Sequence, residues 1–137
     1  MKKPSTSFRL PADTLEHLDE RARLLGENRT KLVERYVEEG LRRDEHPAIV
    51  FREGAAGRRP ALAGTRLDVW QVVETVRNEG NSTAGAAEYL GIPEEQVQAC
   101  VRYYAAHQDE VDEWAARMRE LAEREEAAWR REQAILA

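Results

Sequence analysis

The chain has 137 residues and a mass of 15.7 kDa, which is one ordinary domain or two very small ones. Charged residues make up 34% and hydrophobic residues 42%, with only 8 Gly and 5 Pro, which excludes a collagen, a disulfide scaffold or a low-complexity chain and favours helices. Lys and Arg number 21 against 26 Asp and Glu, so the net charge of −5 excludes global attraction to nucleic acid or an anionic membrane as a first reading.

Residues 1–45 hold ten basic and ten acidic residues. They open with Ser5-Thr6-Ser7-Phe8-Arg9-Leu10, in which Thr6, Phe8 and Leu10 alternate with Ser5, Ser7 and Arg9. Period two predicts a short strand with one apolar face, ended by Pro11. Asp13 is positioned to cap a helix whose stripe is Leu15, Leu18, Ala22 and Leu25, and Gly26 supplies a left-handed stop. Asn28 and Thr30 offer cap oxygens for a second helix striped by Leu32, Val33, Tyr36, Val37 and Leu41. About 38 residues of strand, helix, helix cannot bury a sufficient core, and a lone strand has two open edges. Two copies that pair their strands and interlock their helices remove both problems.

These residues resemble the ribbon-helix-helix family of DNA-binding proteins. The resemblance implies that the paired strands enter the major groove and that Ser5, Ser7 and Arg9 read base edges. Arg grips guanine bidentately and Ser serves several bases. It further implies that Asn28, Arg29 and Thr30, with Lys31 beside them, rest on a phosphate at the start of the second helix. Glu27 departs from that pattern by placing a negative charge near the phosphate. A dimerisation strand that never meets DNA is the alternative.

Residues 46–108 hold six basic and seven acidic residues. Ala48 to Phe51 predicts a strand, Gly54-Ala55-Ala56-Gly57-Arg58-Arg59-Pro60 a turn, and Ala61 to Arg66 the return strand of a hairpin. Asp68 caps a helix with Val69, Val72, Val73 and Val76 inward and Trp70 alongside, ended by Gly80-Asn81. Ser82 or Thr83 caps a short helix to Leu90, Gly91-Ile92-Pro93 turns, and Glu94 to about His107 is a helix with Val97, Cys100, Val101 and Tyr104 on one face. The last two helices have the outline of a helix-turn-helix.

This segment resembles domain-of-unknown-function family 433, on Phe51-Arg52-x-Gly54, Gly57-Arg58-Arg59-Pro60-Ala61-Leu62-x-Gly64-Thr65-Arg66, Val69-Trp70-x-Val72-Val73-Glu74 and Ala87-Glu88-Tyr89-Leu90-Gly91. The resemblance implies an antitoxin of the VapB type whose partner is a PIN-like ribonuclease. The second helix of the outline carries Glu94, Glu95, Gln96, Gln98 and Arg102, and acids at its start are poor chemistry for DNA. Protein binding or dimer bracing is the favoured role. Arg66 is expected to be a buried arginine stitching hairpin to helix, and Cys100 an inert core thiol.

Residues 109–137 hold five basic and nine acidic residues and neither Gly nor Pro. Val111, Trp114, Met118 and Leu121 continue a helical stripe that thins to Ala122, Ala128, Trp129, Ile135 and Leu136. A solvated capping helix or a coiled-coil arm is one reading. The other is a segment that docks on the ribonuclease through Trp114, Met118, Leu121, Trp129, Arg130 and Arg131.

The expected architecture is therefore mainly α, in three parts. Residues 1–45 form a DNA-binding and dimerisation module, 46–108 the hairpin and helix-turn-helix-like domain, and 109–137 the partner-binding helix. The expected partners are operator DNA, the ribonuclease, and a second copy paired through the N-terminal strand, in a homodimer or a larger hetero-oligomer. A stand-alone dimeric regulator whose middle domain senses a ligand or braces the dimer is the alternative.

No catalytic, metal or cofactor chemistry is expected. His17, His46 and His107 form no ligand pair, and no phosphate loop or nucleophile elbow occurs. No apolar run spans a membrane, and Met1 to His17 lacks the apolar core of a signal peptide. The single Cys100 fits a reducing cytoplasm.

Overall fold

A computed structural model describes residues 3–54 and 56–137, so Ala55 of the expected turn lies outside the described residues. The elements run α1 (Ala12–Leu25), α2 (Arg29–Glu45), β1 (Ile49–Gly54), β2 (Gly57–Leu62), α3 (Val69–Asn78), α4 (Thr83–Leu90), α5 (Glu94–Ala106) and α6 (Gln108–Leu136). Two compact units divide the chain, Met1–Leu41 and Arg42–Ala137.

In the first unit, α1 starts after Pro11 without a side-chain cap. Asp13 lies inside the first turn, where its carboxylate accepts from Thr14 N–H at 3.1 Å and complements the helix dipole. Gly26 ends α1 at φ 67°, and the Glu27 N–H reaches back to the Ala22 carbonyl at 3.0 Å. Asn28, not Thr30, caps α2, its Oδ1 accepting from Lys31 N–H at 2.8 Å. Ala22 and Leu32 are the buried residues of the stripes, and Leu15 and Leu18 are half-buried. Phe8, Leu10, Leu24, Leu25, Tyr36, Val37 and Leu41 are exposed in the single chain.

Ser5 to Leu10, expected as a strand, forms neither helix nor strand. The reason is the ladder itself: strand N–H and C=O groups need a neighbouring strand, and the described residues supply none for this segment.

In the second unit, β1 and β2 pair antiparallel with Ile49 opposite Leu62, Phe51 opposite Pro60 and Gly54 opposite Gly57. The turn is shorter than the Gly-rich stretch suggests. Arg58, Arg59 and Pro60 belong to β2, and Ala63 to Arg66 belong to the following turn, where Thr65 Oγ1 donates to the Leu62 carbonyl at 2.9 Å. Pro60 is tolerated because a two-stranded sheet has only edge strands.

Asp68 precedes α3, and Gln71 Oε1 accepts from its N–H at 2.8 Å. Ser82 resolves the α4 cap by accepting from Gly85 N–H at 2.9 Å. The core gathers Ile49, Leu62, the four valines of α3, Ala86, Ala87, Val97, Cys100, Tyr103 and Val111. Tyr103 is fully buried, whereas Tyr104, the expected stripe residue, is half-buried.

The start of α6 belongs to this core. Val111, Trp114 and Ala115 are buried, while Met118 and Leu121 are half-buried. Residues 109–137 are thus no separate module; their first third closes the second unit. Where α5 meets α6, Arg42 donates to Tyr103 Oη at 3.2 Å and pairs with Glu110. The His107 ring lies 4.7 Å from that of Tyr103 and 5.8 Å from that of His46, and its buried Nε2 has no hydrogen-bond partner among the described residues.

Candidate nucleic-acid interface

Ser5, Ser7 and Arg9 are all exposed, and Arg9 has no ion-pair partner among the described residues. Phe8 alternates with them and is 82% exposed, a cost that a lone chain does not recover. The segment thus carries the two faces of a strand before it has a strand to pair with.

At the head of α2, the N–H groups of Arg29 and Thr30 precede any helical acceptor. Arg29 holds Asp19 at 3.2 Å, but both side chains are more than half exposed, so the pair is weak. Thr30 and Lys31 are exposed. Glu27 pairs with Arg35 at 2.8 Å, which cancels the negative charge that sequence reasoning placed near the phosphate. This end of α2 has the N–H groups and dipole that favour a nearby anion, with Asn28 engaged as its cap.

Comparison with known families gives two matches. Residues 5–44 match the ribbon-helix-helix proteins of the copG family, and residues 49–104 match the proteins of unknown function DUF433. The chain carries a ribbon-helix-helix module and a DUF433 domain. Among curated proteins and solved structures, nothing matches it. Ribbon-helix-helix members dimerise and bind DNA. The match begins at residue 5, so it includes the segment that is unpaired in the single chain.

The DUF433 domain offers DNA little. Its helix-turn-helix outline, α4, Gly91 at φ 68°, and α5, opens the second helix on Glu94 and Glu95. Glu94 accepts from Thr83 Oγ1 at 2.9 Å, and Glu95, Gln98 and Arg102 are exposed. Two carboxylates at a helix entry repel phosphate.

The arginines are distributed differently from expectation. Arg66 is exposed, and the stitching residue is Arg59, whose Nε donates to the buried Asp68 at 2.9 Å. Arg52 donates to the Leu62 carbonyl at 3.2 Å. The hairpin register decides this: with the short turn, Arg59 stands opposite Arg52 inside the ladder and Arg66 falls beyond it. Cys100 is fully buried and burial pushes its thiol up to about 12, which makes it inert.

The residues expected to meet a protein partner divide. Trp114 is 5% exposed, with the Arg117 guanidinium 4.8 Å from its ring, so it is a core residue and unavailable as an anchor. Met118 and Leu121 are half-buried beside it. Trp129 is 58% exposed, Arg130 pairs with Glu126 one turn away at 2.6 Å, and Arg131 is exposed.

Proposed function

We propose that this DNA-binding regulator is the antitoxin of a type II toxin–antitoxin pair. A dimer formed through residues 5–10 and the apolar faces of α1 and α2 binds operator DNA and represses its own operon. The free half of α6 holds a PIN-like ribonuclease inactive. In this reading the chain is a cytoplasmic binding protein and not an enzyme.

The observation that carries the reading is the course of α6. It runs 29 residues, about 43 Å, yet its buried residues are confined to Val111, Trp114 and Ala115. Beyond them it presents Trp129, Ile135 and Leu136 to solvent. Exposed large apolar residues on a projecting helix mark a surface for a partner. Trp129 is the anchor, and Arg130 and Arg131 are the cations available to a nuclease whose centre is acidic.

Inhibition follows one of two routes, an arginine offered to the metal-holding acids or a helix laid across the RNA path. Co-expression with a PIN-like nuclease encoded beside this chain tests the reading. The complex should co-purify and the nuclease should be silent. A nuclease that stays free and active contradicts it. Excess Mg²⁺ that restores activity points to the arginine route.

A further inference from the structure

Trp70, Trp114, Met118, Leu121, Arg59 and Arg66 line a cleft of about 360 Å³ beside the buried Asp68. Both oxygens of the Asp68 carboxylate are engaged, with Arg59 Nε donating at 2.9 Å and Trp70 Nε1 at 3.2 Å. Arg59 and Asp68 therefore cancel. Arg66 is exposed and has neither an ion pair nor a hydrogen bond among the described residues. The cleft thus carries one uncompensated guanidinium and two indoles in its lining, in a chain of net charge −5.

We propose that this cleft binds a small amphipathic acid, its carboxylate on Arg66 and its aryl or short alkyl body against Trp70, Met118 and Leu121. A guanidinium presents a planar fork of donors that fits a carboxylate in a bidentate pair. Indole, thioether and isobutyl groups give the ligand's body an apolar wall. A cation is repelled by Arg66, and a neutral apolar molecule leaves it unused.

The cleft is the right size for a small free acid. Its volume lies at the small end of the ligand-cavity range of about 300–1,000 Å³. The proposal stands apart from the antitoxin reading. It makes the DUF433 domain a ligand site, and three of the lining residues, Trp114, Met118 and Leu121, belong to the helix that goes on to carry Trp129.

The test is an NMR titration of the isotope-labelled full-length chain with phenylacetate, phenylbutyrate and octanoate, each against its neutral amide. At least one acid should shift the Trp70 indole N–H and the Arg66 amide saturably, and its amide should bind about tenfold more weakly or worse. Arg66→Gln should lose at least that factor while the thermal midpoint holds, and Met118→Glu should block the site in a folded protein. The proposal is overturned if no acid gives a saturable shift, if acid and amide bind alike, or if Arg66→Gln binds as the parent does.

Discussion

Arg9 is an exposed guanidinium without an ion-pair partner, on a segment that alternates polar and apolar side chains. In the proposed paired ribbon it would face base edges, so Arg9→Ala should cost about 1–3 kcal/mol of operator affinity and relax preference at one base in each half-site. Arg29→Ala and Lys31→Ala should instead weaken all sequences alike and flatten the salt dependence, as mobility shifts across a salt series will show. Within the DUF433 domain, Asp68→Ala strands the Arg59 cation and the Trp70 N–H. With Arg59 a quarter exposed, the expected loss is about 2–3 kcal/mol in urea unfolding. His107 makes stability depend on pH. Burial first, and then the Arg42 charge, hold its imidazole below the ordinary histidine value, Glu110 and Glu45 pulling against them and His46 acting with them. The unfolded chain then binds the proton more readily. The stability is fully present above the ordinary value of about 6.5 and is lost as pH falls below it. At fixed protein concentration, the urea midpoint should drop between about pH 7.5 and pH 5.5, and His107→Gln should reduce that drop.

The two tryptophans of α6 separate stability from binding. Trp114→Ala empties a core position and should cost about 3–5 kcal/mol of stability. Trp129→Ala should leave the thermal midpoint in place and weaken nuclease inhibition, because hot-spot aromatics contribute about 2 kcal/mol or more each. The sequence shows both at helical spacing. It does not show where the domain beneath the helix ends, and that edge decides which is core. Other elements were legible because their causes are local. Gly26 supplies a positive φ, Asn28 a cap oxygen, and α3 a valine stripe that is buried throughout. The hairpin was misread because its register depends on turn length, and moving the turn moved Arg59 into the ladder and Arg66 out of it. Tyr103 was missed because its neighbour Tyr104 also completes a three-four pattern with Val97, Cys100 and Val101. The alternation at residues 5–10 is legible only as a pattern, since no described strand pairs with it and the partner proposed for it is a second copy. Phe8→Ala or Tyr36→Ala, if each is covered in the dimer, should cost about 3–5 kcal/mol per site. The loss should appear as stronger concentration dependence of unfolding, and sedimentation should show more monomer.

On the scale of the whole molecule, opposite ends of the sequence carry different charge. Residues 1–45 are neutral overall, whereas residues 109–137 contribute −4 of the net −5, so DNA has to be held by local contacts at the N-terminal module. Cutting at residue 109 would open the core, but removing residues 122–137 should spare the fold and operator affinity while nuclease inhibition falls by orders of magnitude. The central claim is that residues 5–10 become a DNA-reading ribbon when two copies pair. It is tested most directly by fluorescence anisotropy of a labelled duplex from upstream of the chain's own gene, titrated with the full-length protein and with Arg9→Ala, against a scrambled duplex. The account predicts salt-sensitive binding that prefers the upstream duplex and a preference that collapses in Arg9→Ala while the dimer persists. Equal binding of both duplexes by the parent protein, or an unchanged preference in Arg9→Ala, would contradict it.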